Sequence, residues 1–280
     1  MDKLLLVDGS NLLFQMFYGM PARIVGKHGK AIHGTVGFIG ALLKIIRLTD
    51  PTHAAVFFDG EHKNIRTEIN ADYKANRPDF SQMPEEETPF SQLPDIYAAL
   101  ELLGIAYSET EIGETDDVIA SYALTYGSTA DVVISSFDSD FFQLITEKIS
   151  VLRYRGDNTV ICTPEYIKNK LGIEPCVYAD YKALTGDSSD NIKGAEKVGP
   201  KTAAALICEF GDLEGVLNNA ENIKKPSVRA SVTGAKDRLR ENYKLIKLGV
   251  CSEMPFRLCE LCFAYTGVSS GSVLKTLGIV

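Results

Sequence analysis

The stretch 183–194 reads ALTGDSSDNIKG and sets two carboxylates, Asp187 and Asp190, three residues apart with only serines between them. Anions that close repel each other, and Gly186 and Gly194 deny the segment a stable helix. Two readings stay open for such a turn: an ordinary solvated loop, or a place where something positive binds. Further acids recur in a pattern. Asp8 ends the apolar run KLLLVD, Asp59 ends HAAVFFD, and Asp138 and Asp140 follow ADVVISS. Glu114, Asp116 and Asp117 open GETDDV, which reads as a helix start. Acids favour a helix N-terminus, so capping alone accounts for those three. Four segments delivering carboxylates to one place would destabilise a fold by repulsion, and divalent cations resolve that conflict. Oxygen ligands without nearby Cys or His suit Mg²⁺ or Mn²⁺ rather than Zn²⁺. Two such ions can activate a water and stabilise a leaving oxygen in phosphoryl transfer.

The elements that must position these acids follow from periodicity. The short runs rich in Val, Ile, Leu and Phe predict buried parallel strands ending at Asp8, Asp59 and near Asp138. After Asp8 the Gly and Ser read as a turn. Apolar residues at helical spacing predict a helix over 34–50, and another over 115–127 with Thr115 as its N-cap and Gly127 at its end. The alternation predicts a doubly wound α/β class with a mostly parallel sheet, in which ligands bind at the carboxyl ends of the strands. Residues 149–163 read as a hairpin turning at 156–158, and helices follow at 164–171, 176–184, 200–210 and 229–248. The segment 79–94, DFSQMPEEETPFSQLP, is polar and broken by proline, and is expected as a mobile loop. The expected division is an α/β core over 1–162 with a loop near 78–94, a helical region over 163–250, and a tail of unknown role over 251–280.

Composition frames the function. The chain has 280 residues, 45% hydrophobic and 24% charged, with a net charge of −8. That sum hides a polarity: residues 78–147 hold fifteen Asp and Glu and no Lys or Arg, whereas residues 193–247 hold eleven Lys and Arg against seven acids. The pattern suits an anionic cation-binding centre beside a phosphate-binding arm, and uneven surface decoration is the plainer alternative. The N-terminus lacks the apolar stretch of a signal peptide, and no run is long enough to span a membrane. The six cysteines are therefore expected as reduced thiols in the cytoplasm. Cys259 and Cys262 have the spacing of a zinc half-site, but no second pair exists and all four histidines precede residue 63, so they read as half-buried thiols.

LVDGSNLL, VFFDG, YKANRP, GETDDVIA, DSDFFQL and TGDSSDNIKGAEKVGPKTA occur in the order seen in bacterial 5′ nucleases. From about residue 3 to about residue 250 the chain resembles the amino-terminal 5′–3′ exonuclease domain of bacterial DNA polymerase I and related phage flap endonucleases, here without a polymerase domain and expected to stand alone as a monomer. The resemblance implies a PIN-like core whose loop near 78–94 arches over the site, a DNA-binding helix-hairpin-helix region over 163–250, and a role in primer removal and repair. It implies metal ligation by Asp8, Asp59, Glu114, Asp116, Asp117, Asp138, Asp140, Asp187 and Asp190, the first five leaning toward one ion and the last four toward a second. It makes Lys74 and Arg77 contacts of the scissile phosphate, and lets Tyr73 stack on a base. In GAEKVGPKTA, the residues Lys197, Gly199, Lys201 and Thr202 become DNA contacts, with a K⁺ held by hairpin carbonyls. The implied partner is DNA carrying a 5′ end, a flap or an RNA primer. The alternatives are a PIN-like ribonuclease, or a catalytically weak DNA-binding relative. Three departures stand out. Gln15 lies where the polymerase domain carries Arg, Ser139 replaces a basic residue between the two aspartates, and the segment after Pro78 is longer. They are expected to remove positive charge from the DNA path.

Overall fold

Leu4 and Leu6 of the first strand point into one apolar layer and Leu5 and Val7 into another, the period-two pattern of a strand buried on both faces. That strand lies at the centre of the sheet in a computed structural model that describes residues 2–27, 29–60, 66–70, 72–76, 80–111, 113–250 and 254–280. The strands β1 (Lys3–Asp8), β2 (His53–Asp59), β3 (Ala106–Thr110), β4 (Asp131–Ser135) and β5 (Ile149–Arg153) run parallel, and β6 (Val160–Cys162) returns antiparallel beside β5. The order β3-β2-β1-β4-β5-β6 reverses direction between β1 and β4, where Val7 pairs with Val56 on one side and Ser135 on the other. A crevice at the carboxyl ends opens at such a switch point.

The crossovers are α1 (Gly9–Gly19), α2 (His33–Thr49), α3 (Arg66–Ile69), α4 (Leu93–Leu103) and α5 (Thr115–Tyr126). The following region is helical: α6 (Pro164–Leu171), α7 (Tyr178–Thr185), α8 (Pro200–Phe210), α9 (Leu213–Asn218), α10 (Pro226–Gly234) and α11 (Lys236–Ile246), with a small hairpin of β7 (Gly186–Asp187) and β8 (Ile192–Lys193) after α7. A final helix, α12 (Ser270–Thr276), packs on α2 and α4. Among the described residues, no helix is long and apolar enough to cross a membrane.

The apolar layer on the α5 side of the sheet continues without a break into the helical region. Phe57, Ile119, Tyr122, Ile134 and Phe141 belong to the same core as Leu184, Leu206, Leu217, Leu239 and Ile246. The other layer holds Phe38, Leu42, Ile45, Val56 and Phe58 under α1, α2 and α4.

Several expectations are corrected. No turn follows Asp8: its carboxylate caps α1 directly by accepting from the Asn11 N–H at 2.9 Å. Glu114 rather than Thr115 precedes α5, because the Thr115 hydroxyl is occupied with Thr110 Oγ1 at 2.8 Å. The long helix expected over 229–248 is two, broken between Gly234 and Lys236. The proline-broken segment is not a featureless loop. Residues 80–92 form three 3₁₀ turns, with Phe80 and Phe90 packed on Phe14 of α1 at ring distances of 5.7 and 5.8 Å. Gln92 anchors its end, fully buried and donating to the Ala31 carbonyl at 2.8 Å. The tail, whose role the sequence leaves open, packs on the sheet: Tyr122 Oη bonds the backbone of Phe256, and Phe263 N–H donates to the Thr52 carbonyl at 2.8 Å. Cys259 and Cys262 are exposed rather than half-buried, and Cys262 Sγ lies 3.5 Å from His53 Nε2.

Candidate metal centre and nucleic-acid interface

Parallel strands end at the same edge, so Asp8 of β1 and Asp59 of β2 arrive together, with the turn after β4 beside them. Asp8 Oδ2 accepts from the Ser136 hydroxyl at 2.7 Å, which ties the ends of β1 and β4. The same hydroxyl oxygen accepts from the Asp138 N–H at 3.0 Å, and Asp138 Oδ1 accepts from the Asp140 N–H at 2.8 Å. Side chains thus fold the DSD turn over the sheet edge. Asp59 is exposed, and its N–H donates to Ser10 Oγ at 2.8 Å. Gly9 is demanded here: a Cβ would lie 2.6 Å from the Phe58 ring and 2.8 Å from the Phe57 carbonyl.

Burial, reinforced by the charges of Asp59 and Asp138, pushes Asp8 up to about 7 against the lowering pull of the Asn11 amide and Ser136. Burial, then the charges of Asp138 and Asp8, holds Asp116 well above the carboxylate range. Asp8, Asp59, Asp116 and Asp138 therefore form one mutually repelling group. Asp140, Asp187 and Asp190 form a second, each offering an oxygen within 4.8 Å of the others. Glu114 and Asp117 are differently engaged. Arg66 pairs with Glu114 and, at 2.9 Å, with Asp117, while Lys74 Nζ reaches Glu114 at 2.6 Å. Asp117 also accepts from the Gly249 N–H at 2.9 Å.

The β7–β8 hairpin explains how the ALTGDSSDNIKG turn reaches the sheet. A Cβ on Gly194 would lie 2.3 Å from the Thr185 carbonyl carbon, and one on Gly186 would lie 2.5 Å from Gly194 N. The buried Asn242 of α11 holds the hairpin by donating to the carbonyls of Ala183 and Lys193 at 3.1 and 2.9 Å. What is positive at this turn is Lys182 of α7. Its ammonium bonds Asp140, Asp187 at 2.6 Å, and the Ser139 hydroxyl at 3.2 Å. Burial works to lower the Lys182 pKa, but Asp140 and its anionic neighbours keep it above the ordinary lysine value. Burial also pushes Asp140 up to about 7, with Lys182 opposing. For Asp187, burial raises the pKa, yet Lys182 and Ser189 outweigh it and hold the carboxyl below its usual value.

Sequence reasoning missed Lys182 and Arg66. The first sits on α7 between Tyr181 and Ala183, on a helix that also carries the buried Asp180, and local spacing marked neither it nor Arg66. Lys182 also corrects the reading of Ser139, since a cation arrives beside that serine from another element. Gln15, the other lost charge, is half-buried and donates to the Tyr154 carbonyl at 2.8 Å. Tyr73 is not offered to a base in this conformation. Its ring is 4% exposed, and its hydroxyl lies between Glu114 at 3.3 Å and Asp190 at 3.4 Å. Arg77 lies outside the described residues. In the helical region, Lys197, Gly199 and Lys201 are exposed and Thr202 half-exposed around the start of α8, where Pro200 occupies the first helical position. Lys197 turns the hairpin with a left-handed backbone, φ 62°.

Two family profiles cover most of the chain: the 5′-3′ exonuclease N-terminal resolvase-like domain over residues 3–172, and the 5′-3′ exonuclease C-terminal SAM fold over residues 173–266. The DNA polymerase I of Rhizobium leguminosarum is 38% identical over 255 residues, covering 88% of this chain and 24% of that protein. The chain thus spans about a quarter of that relative's length. The 5′-3′ exonuclease of Aquifex aeolicus is 36% identical over 250 residues, covering 89% of this chain and 82% of its own. The bacteriophage T5 D15 flap endonuclease, solved as a pseudo-enzyme-product complex with DNA and metal ions, shares the fold at a TM-score of 0.72, with 22% identity over 88% of this chain and 89% of that one. One family accounts for both the sheet and the helical region, and a relative matched over most of both chains carries its name: the chain belongs to the 5′-3′ exonuclease family.

Proposed function

We propose that the protein hydrolyses phosphodiester bonds near DNA 5′ ends, 5′ to 3′ and at flaps, using two Mg²⁺ or Mn²⁺ ions, in primer removal and repair. The observation that carries this reading is the convergence of carboxylates at the strand edge, with Asp140, Asp187 and Asp190 oxygens within 4.8 Å of one another. An all-oxygen, partly buried donor set fits a hard divalent cation. Asp8, Asp59, Asp116 and Asp138 would hold one ion and Asp140, Asp187 and Asp190 the other, a different division from the order along the chain. Such ions supply Lewis-acid stabilisation of charge building on a phosphate. Glu114 and Asp117 keep Arg66 and Lys74 close to that phosphate. Lys74, on leaving Glu114, places its ammonium where negative charge develops, and Tyr73 is released with it. Lys197, Lys201 and the amides after Pro200 take duplex phosphates, with Gly199 and Thr202 lining the approach. A K⁺ on the hairpin carbonyls belongs to the same reading, and exchanging K⁺ for Na⁺ in duplex-binding measurements tests it.

The deciding experiment offers a labelled 5′-flap duplex with Mg²⁺, with Mn²⁺ and with chelator. Cleavage is expected with either metal and lost with chelator. No cleavage in any condition overturns the reading, and preference for single-stranded RNA would replace it with a ribonuclease.

A further inference from the structure

Two turns far apart in sequence, 72–76 and 187–191, are bonded face to face. The Asn76 side-chain amide donates to the Ser188 carbonyl at 3.0 Å, and the Asn191 amide donates to the Asp72 carbonyl at 2.8 Å. Between them the Lys74 backbone N–H donates to the Asp190 carbonyl at 3.1 Å. The exchange is reciprocal: each turn gives one side-chain amide to the other's backbone. Both asparagines are exposed, and these amide bonds go to backbone carbonyls, not to carboxylates.

Lys74 and Asn191 each have a left-handed backbone, φ 58°. Asparagine tolerates that region, whereas lysine enters it at a cost and needs contacts outside the turn to stay. Those contacts come from the Asp190 carbonyl on its N–H and Glu114 on its ammonium. The 187–191 turn carries two of the carboxylates that face a cation, so its geometry depends on what they hold.

We propose that Asn76 and Asn191 are positioning residues, a clasp through which occupation of the Asp187/Asp190 turn by a divalent ion also fixes the Lys74 turn. The proposal rests on the metal-dependent reading above. It requires that loosening the clasp leave the fold and duplex binding intact while separating ion occupancy from the placement of Lys74.

The test uses the full-length protein and the variant N76A/N191G, in which glycine keeps the left-handed backbone at 191 free of strain. Trypsin can cut after Lys74, because Ala75 follows, but not after Arg77, because Pro78 follows. Without DNA, Mg²⁺ is expected to slow cleavage after Lys74 in the parent, read by fragment mass, and to have no such effect in the double variant. On a 5′-flap the variant should lose on the order of tenfold to a hundredfold in single-turnover rate, with flap affinity in Ca²⁺ and the melting temperature unchanged. Equal Mg²⁺ protection in parent and variant overturns the clasp, and so does a parental single-turnover rate in the variant. The single variants N76A and N191G carry the same test if the double one does not fold. A parent inert on every flap would fail the nuclease reading instead, while the proteolysis arm still decides whether the turns are coupled.

Discussion

Lys182 is a full positive charge already present among the carboxylates proposed to hold a divalent ion. Its side chain is 9% exposed, as is that of Asp187, so the pair is shielded from screening. Removing one member of a buried ion pair leaves the other uncompensated, a loss of about 3–5 kcal/mol. K182M should therefore lower the metal-free melting temperature and enlarge the gain on adding Mg²⁺, since the ion then replaces the missing charge. An unchanged Mg²⁺ gain would show that the ion and the ammonium do not share a space. At the same scale, D187N/D190N should cut single-turnover cleavage of a flap by about two to three orders of magnitude while duplex binding in Ca²⁺ persists. Cleavage at the parental rate would remove that turn from the metal centre. That the paired aspartates would join other acids was legible in the sequence, because the serines and flanking glycines let the backbone come close, and Asp140 does lie beside them. Lys182 and Arg66 were not, because local spacing does not show that a helical lysine just before Asp187 also reaches Asp140, or that Arg66 reaches Glu114 and Asp117.

At the level of elements, the proposed function gives two short segments a part in how DNA would meet the site. The turn before α8 and the first turn of that helix present Lys197 and Lys201 to solvent in a region with net positive charge. Each duplex phosphate deprived of its cationic partner reduces the slope of log affinity against log salt by about 0.9. K197A/K201A should thus flatten that slope by up to about 2, and an unchanged slope would move the duplex elsewhere. The 3₁₀ turn Glu85–Glu87 is exposed and anchored on α1 by the Phe80 and Phe90 rings. If a 5′ strand passes this turn, the repulsion would reach about 30 Å at 0.01 M salt but about 8 Å near physiological salt. E85Q/E86Q/E87Q should speed flap association at low salt only, by stopped-flow; equal rates at every salt would leave those acids as plain surface. Long, strongly apolar elements such as α2, β2 and β4 could be read from periodicity. β3 was missed because AYSET alternates weakly, and α1 because its cap, Asp8, also ends a strand. The break after α10 was missed because the apolar spacing carries across Gly234 without interruption.

Across the molecule, the raised carboxyls make stability depend on metal and pH together. Asp8 and Asp140 ionise only near 7 when folded, against about 3.9 unfolded, so their ionisation destabilises the metal-free fold progressively as pH rises from near 4 to near 7. Thermal melts in chelator should therefore show falling stability over that window. Mg²⁺ should raise the melting temperature more at pH 8 than at pH 6, because protons compete for the same oxygens. Equal gains at both values would mean that the ion binds away from Asp8 and Asp140.

The apolar layer that runs from Phe57 and Tyr122 to Leu239 and Ile246 bears on how the protein can be divided. The two family profiles meet at residues 172 and 173, inside the reach of that single layer. The segments are thus modules of heredity but not of folding. Severing the chain after Gly172 should give two fragments that each bind a hydrophobic dye and precipitate alone, yet recombine into one cooperative unit when produced together.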